Sequence, residues 1–164
     1  MIIIKKYRLI KDNYDVYHVK SRESGACPIC DGTLKVIGTR RRQIIAADGE
    51  KRIYIIRRLR CAERCGKIHH ELPDIMVPYK RHSAETLEKI SENDTAELYV
   101  ESNTITKIRE FISRIKTLYR NALPGLKEKY RDMNFSEFPL LKELVRTLVN
   151  GNLWVHTRSA YGQT

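Results

Sequence analysis

The spacing of four cysteines constrains this chain more than any other feature of its sequence. Cys27 and Cys30 form one close pair, Cys61 and Cys65 form a second, and together they read C-x2-C-x30-C-x3-C. Two tight turns that each present two thiolates can supply the tetrahedral ligand set of a zinc ion. Because four sulfurs leave no open position for water, the pattern predicts one structural Zn2+ and not a catalytic metal.

Disulfides and inert buried thiols are the alternatives to a zinc site. Disulfides persist in oxidising compartments, and the first residues, MIIIKKYRLI, lack the basic start and the longer apolar stretch of a secretory signal. The sequence also has no run of about 18 apolar residues that would predict a membrane span. We therefore expect reduced thiols in a cytoplasmic protein with no membrane partner.

The segment between the cysteine pairs has the pattern of a β-hairpin. Residues 34–37 lead away from the first knuckle, and residues 43–45 and 53–56 are rich in β-branched and aromatic side chains. Asp48-Gly49 between the last two segments predicts a type I′ turn. Two cysteine knuckles joined by antiparallel strands make a zinc ribbon, with its core at residues 25–68. Because such a ribbon has little apolar core, we expect metal binding to supply much of its folding free energy.

Positive charge is concentrated on this ribbon. The chain has a net charge of +11, of which residues 1–81 carry +10 and residues 35–67 alone carry +8. Arginines predominate there, and their planar guanidinium groups suit phosphates and guanine edges. A two-stranded ribbon can follow a phosphate backbone or enter a major groove, so the sequence predicts double-stranded DNA as the partner. The candidate contacts in the ribbon are Arg40, Arg41, Arg42, Lys51, Arg52, Arg57, Arg58 and Arg60.

The second half of the chain has helical periodicity. Ser83 is the predicted N-cap of a helix over 84–92, and apolar residues spaced by three and four predict a longer helix over 102–119. With a short helix or turn between them, these helices would form a helix-turn-helix over 83–120, and a plain helical bundle is the alternative. Four residues at the start of the last helix would then read base edges: Asn103, Thr104, Thr106 and Lys107.

The predicted fold class is therefore α+β. A β-rich zinc-ribbon domain over residues 1–81 precedes an all-α, helix-turn-helix-like domain over residues 82–164. Further helices over 126–133 and 137–150 follow from the apolar pattern. We expect these last helices to pack the core or to mediate self-association, for example into a homodimer.

Part of this sequence resembles proteins of mobile genetic elements. The ribbon pattern followed by a helix-turn-helix is similar to the N-terminal heads of insertion-sequence transposases. More closely, RRLRCAERCGKIHHELPDIMVPYKR at 57–81, SAETLEKI at 83–90 and HTRSA at 156–160 resemble a family of uncharacterised small bacterial zinc-ribbon/helix-turn-helix proteins. The resemblance implies a nucleoid-associated DNA-binding protein that serves transposition or its regulation, with zinc on the four cysteines.

Two features depart from that family pattern. The second knuckle is C-x3-C where C-x2-C is expected, so Cys65 is a ligand only if the loop tolerates one extra residue. Transposases also continue into a nuclease domain with three metal-binding carboxylates, which 164 residues do not accommodate. The implied role is DNA recognition without strand cleavage, alongside a separate recombinase or transposase, so we do not expect an enzyme.

Two other classes of protein remain as alternatives. One is an adaptor whose basic ribbon docks an acidic protein or RNA. The other is a small His-Asn-His nuclease that would use His69, His70 and Asn93, although the next histidine is as distant as His156. Otherwise His69 and His70 are a polar linker pair packed on the zinc knuckle. Two neighbouring acids are expected in solvent: Glu71 and Asp74.

Overall fold

The structure is a computed structural model that describes residues 1–154, and most of its first half is a curled, mixed sheet. The HTRSA string at 156–160, with His156, lies outside the described residues. The six strands are β1 (Ile2–Ile4), β2 (Tyr7–Lys11), β3 (Val16–Ser21), β4 (Leu34–Ile45), β5 (Lys51–Cys61) and β6 (Ile68–Pro73). Their order is β1-β6-β5-β3-β2, and β4 pairs with β5.

Strand β5 organises this sheet. One edge of β5 pairs antiparallel with β4 over its whole length, from Cys61 opposite Leu34 to Lys51 opposite Ile45. The other edge holds two strands in succession, β3 in parallel at its start and β6 antiparallel near its end. The predicted hairpin between the cysteine pairs is therefore present, but it is one part of a larger sheet.

The turn of the β4–β5 hairpin differs from the expected type. A type I′ turn needs positive φ at both central residues, whereas Gly49 has φ 82° and Asp48 is not in the left-handed region. The Gly49 N–H donates to the Ala46 carbonyl at 3.0 Å, and the Ala46 N–H donates to the Glu50 carbonyl at 2.9 Å. This is the pattern of a type I turn followed by a left-handed glycine in a bulge.

In the described part of the chain, three helices follow: α1 (Ala84–Ser91), α2 (Ser102–Lys129) and α3 (Leu141–Asn150). The predicted N-cap is confirmed, since the Ser83 hydroxyl accepts a hydrogen bond from the Thr86 N–H at 3.1 Å. The helices and the sheet share one hydrophobic core, in which Ile3, Ile56 and Leu87 are buried with the apolar stripe of α2. None of the helices in residues 1–154 has both the length and the hydropathy to cross a membrane.

Helix α3 also covers a free edge of the sheet. The outer edge of β1 would otherwise expose its backbone groups, which must find partners when buried. The Asn150 side chain accepts from the Ile3 N–H at 2.8 Å and donates to the Ile3 carbonyl at 3.0 Å. This pair of bonds fixes the end of α3 to the three buried isoleucines of β1.

The predicted fold class is wrong in two respects. The β part is not a two-stranded ribbon, because β1, β2, β3 and β6 extend the hairpin into a six-stranded mixed sheet. The helices do not form a separate, helix-turn-helix-like region either. Residues 92–101 between α1 and α2 form a ten-residue loop, far longer than the three- or four-residue turn of that motif, and all three helices contribute to the core shared with the sheet.

Helix α2 is longer than its sequence predicts. It continues through Pro124 and Gly125 to residue 129, whereas the sequence predicts two separate helices over 102–119 and 126–133. A proline inside a helix costs roughly 3 kcal/mol. The neighbouring Leu123 and Leu126 are buried, and their burial offsets that cost. The last helix begins at residue 141 rather than at 137.

Candidate metal centre

The structure brings the four cysteines together. Their sulfurs all lie within 4.8 Å of one another, and Cys27–Cys65 and Cys30–Cys61 are the two pairs at 3.5 Å. Four sulfurs bound to one zinc at about 2.3 Å lie about 3.8 Å apart in a tetrahedron. The four thiols could therefore hold one metal ion, and an all-sulfur set of this size fits zinc.

The first knuckle is a turn closed by backbone hydrogen bonds. The Asp31 N–H donates to the Cys27 carbonyl at 2.8 Å, and the Cys27 N–H donates to the Gly32 carbonyl at 2.9 Å. Asp31 is in the left-handed region, with φ 57°. A Cβ on Gly32 would lie 3.0 Å from the sulfur of Cys61 and 3.5 Å from that of Cys30. Glycine at this position therefore leaves space for the sulfur cluster.

The second knuckle accommodates its extra residue. Cys61 ends β5, its N–H donates to the Lys67 carbonyl at 3.0 Å, and Gly66 has φ 63°, which lets the chain reverse. The Ala62 N–H donates to the Thr33 carbonyl at 2.9 Å, which ties this knuckle to the first. The C-x3-C spacing thus still delivers both of its sulfurs to the cluster.

The thiols differ in how readily they ionise. The backbone N–H of Arg64, with help from that of Cys65, lowers the pKa of Cys61 to about 6. The N–H of Lys67 also favours the Cys65 thiolate, but burial and the neighbouring thiols outweigh it and raise the pKa of Cys65 to about 12. Negative charge on one sulfur opposes ionisation of the next. A divalent cation favours every thiolate and relieves this conflict.

His69 lies beside the cluster and is not one of the four grouped ligands. Its Nε2 is 3.3 Å from the sulfur of Cys27, and the side chain is buried. Burial lowers the pKa of His69 to about 4, so the imidazole is neutral at neutral pH. This position agrees with a histidine packed on the zinc knuckle. Asn93, the other nuclease candidate, lies after α1 and accepts a hydrogen bond from Arg109 at 3.3 Å.

Strand alternation divides the basic residues of the ribbon between the two faces of the hairpin. Arg40 and Arg42 lie opposite Ile56 and Tyr54 and share a face with Arg58 and Arg60. We call these four residues the arginine face. Arg41 lies on the opposite face. Lys51 lies at the start of β5, beside the hairpin turn. Arg52 and Arg57 form ion pairs with acidic residues.

The arginine face is crowded with positive charge. Arg40 Nη1 lies 3.5 Å from Nε2 of His70, which is opposite Arg58 on β6. Burial lowers the pKa of His70, and Arg40 and Arg58 lower it further. Burial and then Arg40 also lower the pKa of Arg42. Bringing an anion to this surface would reduce the repulsion among these groups.

Two of the arginines predicted to contact DNA form ion pairs within the protein. Arg57 forms a bidentate ion pair with Glu71, with both nitrogen–oxygen distances at 2.7 Å. Glu71 is buried, which corrects the expectation that it lies in solvent. Arg52 pairs with Asp48 and, at 3.5 Å, with Glu50. No local sequence pattern predicts the Arg57–Glu71 pair, because the pair depends on the non-local pairing of β5 with β6.

The four predicted base-reading residues lie together in the first two turns of α2. Asn103, Thr106 and Lys107 are exposed, Thr104 is half-buried, and the Thr106 hydroxyl donates to a backbone carbonyl of its own helix. They lie on a different element from the arginine face, which is on β4 and β5. Their role as DNA contacts stays a prediction.

Comparison with known proteins identifies a family for this chain. A family model described as a domain of unknown function, DUF6431, matches residues 27–109. The match begins at Cys27, includes both cysteine pairs and strands β4 to β6, and ends in α2. No curated protein and no solved structure matches the chain. Since the model matches half of the chain, the protein belongs to the DUF6431 family.

Proposed function

We propose that this protein binds double-stranded DNA through the arginine face of a zinc-fixed hairpin. The observation that most supports this is a group of four arginines that form no ion pair with the described acidic residues. Among the described residues, no carboxylate lies within 4.0 Å of Arg40, Arg42, Arg58 or Arg60. Surface arginines without acidic neighbours are the usual means of holding phosphates.

The spacing of the arginine face suits a duplex backbone. Residues on one face of a strand repeat about every 6.7 Å, twice the rise per residue. The phosphates of a DNA strand follow a helical path, and guanidinium groups this far apart can each contact a separate phosphate. Arg40 with Arg42, and Arg58 with Arg60, would form two such pairs.

Zinc has a structural part in this proposal. Arg60 directly precedes Cys61, and β4 begins at Leu34, close to the first knuckle. Metal on the four cysteines would join the two knuckles and hold this end of the hairpin in register. The ion would thereby fix the spacing of the arginine face without taking part in any reaction.

A pair of charge-matched double variants tests the proposal. Arg40→Gln with Arg58→Gln removes two charges from the arginine face, and Arg41→Gln with Lys51→Gln removes two from other positions of the same hairpin. With a 20-base-pair duplex in a fluorescence anisotropy titration at about 0.15 M salt, we expect the first variant to lose more than about tenfold in affinity. The control should stay within about threefold. Equal losses in both variants would show that only net charge matters and would refute a defined face.

The same titration separates the alternative partners. Duplex RNA of the same sequence and an acidic peptide serve as competitors for the labelled DNA. We expect DNA to compete best. If RNA or the acidic peptide displaces the probe at a lower concentration than unlabelled DNA does, the adaptor alternative replaces this proposal.

The proposed biological setting is transposition or its regulation, with strand cleavage left to a separate recombinase or transposase. What supports it is the resemblance of the 57–81 string to proteins of mobile elements. Incubation of the zinc-loaded protein with labelled duplex and Mg2+ tests whether the protein itself cleaves DNA. We expect binding without cleavage, and metal-dependent cleavage that His70→Ala abolishes would instead support the His-Asn-His nuclease.

A further inference from the structure

A second site lies away from the arginine face, in a cavity between α2, residues 130–140 and α3. Its volume is about 500 Å3, within the range of about 300–1,000 Å3 that is typical of small-molecule sites. Tyr119, Leu126, Tyr130 and Phe135 contribute apolar walls, and Arg146 lines one side. The lining therefore combines an aromatic surface with a fixed positive charge.

The cavity walls are held in place by contacts of their own. The buried Tyr119 donates its hydroxyl hydrogen to the Ser136 carbonyl at 2.7 Å, which ties the 130–140 segment to α2. The rings of Tyr130 and Phe135 lie 6.3 Å apart between centroids. The cavity is thus formed by the fold before any ligand binds, which lowers the ordering cost of binding.

Arg146 is the feature that specifies the ligand. It lines the cavity, and among the described residues no acceptor lies within hydrogen-bond distance of its buried Nε. Glu143, the acid of the cavity, lies 3.9 Å from Lys5, and no ion pair joins it to Arg146 among the residues that the structure describes. The unmatched charge in the lining is therefore positive.

We propose that this cavity binds a small aromatic carboxylate, with the carboxylate on the Arg146 guanidinium and the ring against Tyr130 and Phe135. A carboxylate accepts two parallel hydrogen bonds from the terminal nitrogens of a guanidinium, which would give the site its preference for acids. The aromatic walls supply the apolar contact that fixes the rest of the ligand. This binding function is separate from DNA binding and does not depend on it.

Matched acids and amides test this site in the full, zinc-loaded chain. The probes are 3-phenylpropionate and indole-3-acetate, each compared with its primary amide, and binding is followed by 1H–15N NMR titration. We expect each acid to bind at least about tenfold more tightly than its amide and to shift the backbone signals of residues around Arg146 and Phe135. Absence of shifts there, or equal affinity for acid and amide, would overturn the proposal.

Variants assign the preference to its residue. Arg146→Gln should remove the preference for the acid over the amide, whereas Arg120→Gln, which removes an exposed charge of α2 outside the cavity, should retain it. Phe135→Ala should weaken binding of the acid and of the amide alike, because it removes an apolar contact and leaves the charge of the cavity unchanged. If Arg146→Gln keeps the acid preference, or if it unfolds and Phe135→Ala leaves both affinities unchanged, the assignment of this ligand class is wrong.

Discussion

Arg57 and Glu71 hold together the sheet next to the candidate metal centre. Both nitrogen–oxygen distances are 2.7 Å, and the Glu71 carboxylate is buried while Arg57 is partly exposed. The ion pair with Glu71 raises the pKa of Arg57. Because a buried carboxylate needs its partner, this arginine serves the fold and is unavailable to a phosphate.

Removal of Arg57 should therefore destabilise the protein. Arg57→Met leaves Glu71 buried without a counter-charge, and we expect the free energy of unfolding to fall by about 3–5 kcal/mol. Arg41→Met is the matched control, since it removes an exposed arginine of the neighbouring strand and should change stability by less than about 0.5 kcal/mol. Urea unfolding followed by circular dichroism measures both, and equal stabilities would contradict the structural role of the pair.

Gly32 is the residue whose size bears most directly on the sulfur cluster. We expect Gly32→Ala to weaken zinc binding by about tenfold, because its Cβ would lie 3.0 Å from the Cys61 sulfur. At Gly25, among residues 1–154, a Cβ would meet only Ile2, at 3.9 Å, so Gly25→Ala should bind zinc as the parent does. Competition with a chromogenic chelator compares the two variants. Equal zinc affinities would show that the cluster does not adopt this packing around the metal.

Among the secondary-structure elements, α2 offers the clearest test of local stability. Gly125 lies inside the helix, and no atom of the described residues outside its own helix turn lies within 4 Å of an added Cβ. Gly125→Ala should raise the free energy of unfolding by about 1 kcal/mol, because alanine favours the helix and restricts the unfolded chain. Thermal unfolding measures the change, and a lower melting temperature would show that α2 does not continue through this residue.

At Gly49, in the hairpin turn, substitution by alanine should have the opposite effect on stability. Its φ is 82°, and an added Cβ would lie 2.9 Å from Cβ of Tyr99. Gly49→Ala should therefore lower stability by about 1–3 kcal/mol, in the same thermal assay. A variant as stable as the parent would contradict both the turn geometry and the approach of residue 99.

Local patterns predicted the elements better than their arrangement. The Ser83 cap and most of the apolar stripe of α2, from Ile108 to Tyr119, were predicted because both depend on residues three or four positions apart. The continuation through Pro124 was missed, since it depends on burial of Leu123 and Leu126 against distant segments. The cysteine cluster was predictable because thiols at knuckle spacing have few other uses.

At the level of the whole molecule, sheet and helices are joined through one core. The parallel pairing of β1 with β6 brings residues 2–4 beside residues 71–73, and nothing in the sequence pattern specifies so distant a partner. The expectation that metal supplies much of the folding free energy applies to an isolated ribbon, without this shared core. The observed core includes Ile3, Tyr54, Leu72 and Leu148, from the sheet and from α3.

Metal removal should consequently loosen one end of the molecule and leave the rest folded. On chelation, we expect faster amide hydrogen exchange at residues 26–33 and 61–67, which form the knuckles, because metal joins them. The amides of α2 and β1 should keep their protection, since their core does not include the knuckles. Loss of protection throughout the chain would mean that zinc, and not the shared core, stabilises the fold.

Binding to duplex DNA is the central claim, and its salt dependence tests it most directly. Four arginines that each contact a phosphate predict a slope of about −3.6 when the logarithm of the association constant is plotted against that of the salt concentration. The measurement uses the zinc-loaded full chain and a duplex of arbitrary sequence, from about 0.05 to 0.3 M salt. A steep linear decrease near that slope is the predicted result. No binding at the lowest salt, or an affinity independent of salt, would contradict it.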